Sequence, residues 1–461
     1  MVPPLPPELI ALIIDNLHTV RTLKSCSLVA DVFRQPAQRK LYRHFTVRIE
    51  YIKGAFDCSL DEELVAHLLA SPHLARYVVS FTLSAIIRGG SWELEPITRR
   101  LATLFKHLSN VAALNISVDS LAWTRNSPLT GTPLITFTMA IERFIRDQAA
   151  TRTLRQLGVS SFSKVPVAFI THILMACPTV AIRHLRPSLQ LEYPDNNGFP
   201  LPMESTGNTR LCRLKAEIFD ISHPEPPVHQ LMIPHVKFLR TLVATGCSPM
   251  SWDPRLIASY LHDLCSAASA TLVHLSIELP AQGQRDPPPP FRLPRLPHLQ
   301  YLQIKFHMSS QQDDKPDAPS LTHPAGLLAL LSLFLISDAF PVLSELCLRP
   351  DMFTGPGYDS SSHWDRLDFR SISMPPCHEL DNIIVGLPVG VSTRCVPRFC
   401  HWFLGYVKET FPMDSPLHHQ RFGMYAQALP AALPKATAQG LKIINYHAGA
   451  EWREEEVEFC E

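Results

Sequence analysis

A short phrase, Leu-x-x-Leu-x-aliphatic, returns along most of this chain and restricts its folding more than any other feature. Apolar residues at its fourth and sixth positions call for a short strand with one buried face, because successive strand side chains point to opposite sides. The phrase reads Val78-x-x-Phe81-x-Leu83, Val111-x-x-Leu114-x-Ile116, Leu154-x-x-Leu157-x-Val159 and Ile182-x-x-Leu185. It continues as Leu211-x-x-Leu214-x-Ala216, Leu239-x-x-Leu242-x-Ala244, Leu272-x-x-Leu275-x-Ile277 and Leu299-x-x-Leu302-x-Ile304. Leu343-x-x-Leu346-x-Leu348 and Leu380-x-x-Ile383-x-Val385 close the series. From Leu154 to Leu299 successive starts lie 28, 29, 28, 33 and 27 residues apart. In a chain that is 46% hydrophobic, about one position in ten matches three apolar sites by chance, so the spacing carries the argument.

Between the phrases, 166–176, 255–268 and 325–340 read as amphipathic or buried helices. The 42 prolines keep all elements short, since proline breaks helix interiors and central strands. The steps fall near the period of leucine-rich repeats, and the region 76–395 is similar to a degenerate array of that family. That resemblance implies an α/β fold, an irregular solenoid of short parallel strands with outer helices. A connector is expected at 47–75, and a C-terminal helical cap with an acidic tail at 396–461.

In such an array the third, fifth and seventh residues of each phrase face the concave side. The expected target-binding set is Arg213, Lys215, Thr241, His274, Tyr301, Gln303, Lys305 and Arg349. Its mixed charge and single good aromatic anchor suit a protein ligand.

The N-terminus carries a different pattern. Leu5, Leu9, Ile10, Ile13, Ile14 and Leu17 recur at helical spacing, with Pro6–Pro7 where a first turn tolerates them. Two further apolar sets, Val20–Val29 and Phe33–Phe45, complete three short helices that bury too little surface to stand comfortably alone. Leu5-Pro6-x-Glu8-Leu9, Ile13, Leu17, Ser25-Cys26-Ser27-Leu28-Val29 and Leu41-Tyr42-Arg43 make residues 1–46 resemble an F-box, especially the F-box-like modules of mushroom-forming fungi. The pattern departs where the family usually has a basic residue and a tryptophan; here Asp31 and Phe33 stand. The resemblance implies binding to a Skp-type adaptor of a cullin-RING ubiquitin ligase, with Leu5, Pro6, Leu9, Ile13, Leu17, Leu28 and Phe33 forming or supporting the contact.

Composition narrows the alternatives. Forty-two basic against 42 acidic residues argue against a chain built to grip nucleic-acid phosphates. The most apolar stretch, 325–336, is shorter than a bilayer requires. Eleven scattered cysteines without a Cys-x-x-Cys pair fit reduced thiols in the cytoplasm or nucleus. No nucleophile elbow, phosphate loop or His-Glu-x-x-His occurs, so no enzyme and no cofactor or metal is expected. Cys395, Cys400 and His401 lack a fourth ligand at zinc spacing. Residues 280–297 read as a proline-rich loop, 309–324 as a polar loop and 451–461 as a solvated acidic end.

The expectation is therefore a substrate-recognition subunit of a Skp–cullin–F-box type ligase. The alternative is a non-catalytic repeat scaffold whose N-terminal helices only cap the solenoid.

Overall fold

The computed structural model describes residues 5–52, 55–57, 62–88, 94–119, 132–162, 165–183, 185, 187–188, 210–218, 228–246, 254–279, 293–309, 339–354, 378–388, 390–403, 407–410 and 416–444. The chain divides into two compact units, 1–211 and 212–461. Both are mixed α/β.

The first unit opens with three helices, α1 (Pro7–Asp15), α2 (Val20–Val29) and α3 (Asp31–Tyr42). Thr19 caps α2 by accepting the Thr22 N–H at 3.1 Å, and extended backbone at Ala30 separates α2 from α3. Ile14, Leu23 and Ala37 form their shared core, with Leu17, Cys26, Phe33 and Leu41 packed around it. The Lys40 ammonium donates to the carbonyls of Ile14 and Asp15, satisfying the C-terminal end of α1.

Strand β1 (His44–Ile52) follows α3 almost at once and pairs antiparallel with β2 (Ala55–Asp57). Then come α4 (Glu62–Ala70), α5 (Pro72–Ala75), β3 (Ser80–Arg88), α6 (Leu94–His107), β4 (Ala113–Asp119), α7 (Thr132–Ala150) and β5 (Gln156–Ser160). The short β6 (Val165–Pro166), α8 (Val167–Ala176), β7 (Thr179–Arg183) and β8 (Pro187–Ser188) complete the unit. Strands β1, β3, β4, β5 and β7 pair parallel in chain order. Phe81 on β3 meets Phe105 of α6 and Phe144 of α7 edge-on at 5.9 and 6.0 Å, and those two stack at 4.2 Å. The fourth and sixth phrase positions thus face the helices, and the third, fifth and seventh face away.

The second unit repeats the plan. It has β9 (Arg213–Ile218), α9 (Val228–Met232), β10 (Thr241–Gly246), α10 (Pro254–Ala267), β11 (His274–Leu279), β12 (Tyr301–Ser309) and β13 (Glu345–Thr354). After them come α11 (His378–Val385), β14 (Ser392–Cys395), β15 (Arg398–Phe403), β16 (Val407–Thr410), α12 (Pro416–Ala432), α13 (Pro434–Ala438) and β17 (Lys442–Ile443). Strands β9 to β13 pair parallel in chain order. β13 then takes β14 along its first half and β15 along its second, and β14 takes β17. Asp381, fully buried, accepts the N–H groups of Lys435 and Ala436 and so caps α13.

One backbone device recurs. A single carbonyl at the second position of a phrase accepts two successive N–H groups of the next. Arg43 receives Val79 and Ser80, Val79 receives Ala112 and Ala113, and Arg240 receives Val273 and His274. This fixes the register of each strand on its predecessor.

Several expectations change. The phrase placed at Ile182 belongs at Cys177-x-x-Val180-x-Ile182, because Leu157 pairs with Val180 and Val159 with Ile182. The steps there become 23 and 34 residues, counted from Leu154 to Cys177 and Cys177 to Leu211. The Leu380 phrase is helix α11 and not a strand; Leu380, Ile383 and the buried Ile384 stand at helical spacing, i, i+3 and i+4. The expected connector 47–75 contains most of β1, and the expected helical cap 396–461 contains β15, β16 and β17. The expected helices at 166–176 and 255–268 are α8 and α10. The stretch 325–338, most of both loops and the acidic end lie outside the described residues.

Candidate functional site

Helix α1 is apolar on more than one side, and only one side is used internally. Ile14 is 1% exposed and Ile10 is buried, whereas Leu9 on the adjoining face is 46% exposed. Leu5, Leu12 and Ile13 are exposed with it. At the junction of α2 and α3, Leu28 is 82% exposed, with Val29 and Val32 beside it in sequence and also exposed. Exposed large apolar side chains grouped in this way make α1 and the α2–α3 junction the candidate interaction site. Its burial by a partner contributes about 25 cal/mol per Å² of apolar area, less the costs of association.

The seven residues singled out at the N-terminus therefore separate into two groups. Leu5, Pro6, Leu9, Ile13 and Leu28 lie at the surface. Leu17 and Phe33 pack inward against the Ile14–Leu23–Ala37 core and support the face from beneath. Leu12, Val20, Val29 and Val32 are exposed as well; Val20 and Val29 belong to the second apolar set but not to the expected contact, and Leu12 and Val32 belong to neither. The excess of apolar residues in α1 over a single stripe was the available signal. Asp31 forms an exposed ion pair with Arg34 at 2.7 Å, so it is solvated.

The strand face of the second unit departs from an open row of side chains. Arg213 and His274 are exposed, and Lys215, Thr241, Tyr301 and Lys305 are half-buried. Gln303 is 7% and Arg349 2% exposed. Gln303 is held on both sides: its Oε1 accepts the Ser276 hydroxyl at 2.9 Å, and its Nε2 donates to the Cys347 sulfur at 3.7 Å. Glu345 pairs with Arg394 at 3.3 Å. Burial pushes the Tyr301 hydroxyl up, with Cys347 and Glu345 adding to the shift. Burial likewise raises Glu345, against the pull of Arg394. Gln303 and Arg349 are therefore internal members of a polar network, and their expected contact with a target is corrected: neither has surface to offer.

Cys395 is buried, its thiol pushed up to about 12 by desolvation, and it bonds the Tyr425 hydroxyl at 3.3 Å. Such a thiol is a poor metal ligand or nucleophile. The side chains of Cys400 and His401 lie outside the described residues. Among the described residues no group of three or more His, Cys, Asp or Glu could hold a metal ion. No helix among them is long and apolar enough to cross a membrane.

No protein-family model and no curated protein matches this chain. The reading of function rests on its own surfaces.

Proposed function

We propose that the chain is a substrate-recognition subunit of a Skp–cullin–F-box type ubiquitin ligase. In this reading α1, α2 and α3 are the F-box, and the parallel strands with their helices are a degenerate leucine-rich-repeat-like array that holds a target protein. The observation that carries it is the open face of α1: Leu5, Leu9 and Ile13 remain exposed while Ile10 and Ile14 turn into a closed three-helix core. Those exposed residues belong to the F-box-like pattern. The role is non-catalytic: holding a target near a ubiquitin-charged enzyme raises effective concentration without a reacting group on this chain.

A direct connection between the helices and the array supports the same reading. The Arg43 carbonyl at the end of α3 accepts the N–H groups of Val79 and Ser80, each at 2.9 Å. The Arg39 guanidinium lies 5.8 Å over the Tyr77 ring, and Tyr42 stacks on His67 at 6.2 Å. A target held on the strands of the first unit is thereby kept at a fixed distance from the adaptor face. The same contacts favour a second reading, a repeat scaffold capped by its N-terminal helices; in that case the α1 face needs no partner.

Co-expression of the full chain with a fungal Skp-type adaptor, followed by pull-down, tests the proposal. Capture by the parent and loss in Leu9→Asp plus Ile13→Asp support the ligase subunit. A folded parent that captures no adaptor leaves the capped scaffold.

A further inference from the structure

The strand face of the first unit differs from that of the second. In register, its seventh phrase positions run Arg48, Ser84, Ser117, Ser160 and Arg183 across five parallel strands. Arg48 is exposed; the three serines and Arg183 are half-buried. Neither arginine has an ion-pair partner among the described residues. The neighbouring fifth positions are Thr46, Thr82, Asn115, Gly158 and Ala181, all short; Thr46 is exposed, Thr82 and Asn115 are half-buried, and Gly158 and Ala181 are buried. These two rows hold no acidic residue; Glu50 and Asp119 come only in the row beyond. By sequence, the corresponding row of the second unit includes two acidic residues, Glu217 and Glu278, besides Lys305 and Arg349.

We infer that the Arg48–Ser84–Ser117–Ser160–Arg183 row binds an extended acidic segment of the target polypeptide. This rests on the target-holding reading given above and names the chemistry that the array selects. The two guanidiniums supply charge, and the serine hydroxyls between them supply hydrogen bonds to a crossing backbone or to carboxylates. Four interstrand spacings separate the arginines, about 19 Å at roughly 4.8 Å each. An extended peptide rises about 3.3 Å per residue, so acidic side chains some six residues apart meet both ends. A nucleic acid fits less well. The rows carry no Phe, Tyr or Trp on which bases could stack, and two cations neutralise few phosphates.

Fluorescence anisotropy of a labelled deca-glutamate peptide with the full chain tests this. The expected result is binding that weakens about tenfold between 50 and 200 mM salt. It should be reduced at least tenfold in Arg48→Gln plus Arg183→Gln, and be unchanged in Lys237→Gln, an exposed cation outside the strands of the second unit. No binding by the parent, or equal binding by the double variant, overturns the inference. So does tighter, equally arginine-dependent binding of a twenty-residue oligothymidylate, which would make the row a nucleic-acid site. Adaptor pull-down with the same preparations separates the two claims. Adaptor capture without peptide binding removes this inference alone, whereas peptide binding without adaptor capture removes the ligase reading and leaves an acidic-segment scaffold.

Discussion

The Lys40 ammonium donates to the Asp15 carbonyl at 2.6 Å and ties the last turn of α1 to α3. Because α1 otherwise holds to the module by few buried residues, Ile10 and Ile14 among them, this contact orients its exposed face. Lys40→Ala should lower stability by about 1 kcal/mol, since the bond is partly solvated. Hydrogen exchange should speed up in α1 and stay unchanged in β3, and adaptor capture should weaken with it. Equal exchange in parent and variant would show that the lysine does not hold the helix.

Gln303 is bonded to Ser276 and near Cys347 inside the second unit. Gln303→Ala leaves the Ser276 hydroxyl without its acceptor in a buried site. The expected loss is about 1–3 kcal/mol in urea unfolding, with peptide or target binding unaffected where the variant is folded. A variant as stable as the parent that has lost target binding would return Gln303 to the binding surface.

Asp381 caps α13 from inside the protein, accepting Ala436 N–H at 2.7 Å and Lys435 N–H at 3.1 Å. Asp381→Ala strands the buried Ala436 N–H and the part-buried Lys435 N–H and should cost about 1–3 kcal/mol. Asp381→Asn keeps one acceptor oxygen and should recover part of that loss. Thermal unfolding of the three proteins should therefore rank parent, Asn and Ala in that order.

Acid should destabilise the second unit. His229 is 6% exposed and stacks on Tyr260 at 3.5 Å; burial pulls its pKa down to about 4, against the opposing charge of Asp263 at 3.9 Å. His235 and His274 are also lowered, in each case first by burial. The unfolded chain binds a proton on His229 near pH 6.5, and the folded one only near pH 4. In that window the unfolded state holds more protons. The stabilising contribution is complete above about pH 6.5 and is lost as pH falls toward 4, at up to about 1.4 kcal/mol per pH unit for this one group. Urea midpoints at pH 7 and pH 5 should differ, and by less in His229→Phe, which keeps the ring stacking. An equal pH dependence in that variant would place the sensitivity elsewhere.

Much of the sheet was legible because alternation along a strand is a local property. The phrases at Val78, Val111 and Leu154, and those from Leu211 to Leu343, each coincide with a parallel strand. Three apolar sites cannot, however, fix register or element type. Leu380, Ile383 and Ile384 stand at helical spacing inside the same stretch, and α11 forms there. Cys177, Val180 and Ile182 were passed over because a cysteine opens the phrase, although Val180 pairs with Leu157. At Tyr42-x-x-Phe45-x-Val47 a further phrase was hidden inside the F-box-like pattern, and β1 places Phe45 against Phe81 at 6.0 Å.

The apolar periodicity of this chain, by itself, determined three N-terminal helices and a series of short strands alternating with helices, since burial of one face follows from residue spacing alone. That the strands run parallel was implied only by the resemblance to leucine-rich repeats. Which surfaces remain open was decided only by tertiary packing. Ile14 and Ile13 are equally apolar neighbours, yet one is enclosed by Leu23 and Ala37 while the other is left exposed. Gln303 and Ser117 occupy the same fifth and seventh kinds of outward strand position, yet the first is sealed by hydrogen bonds from adjacent strands and the second stands half-open between short side chains. Exposure depends on partners distant in sequence, and no local pattern encodes them.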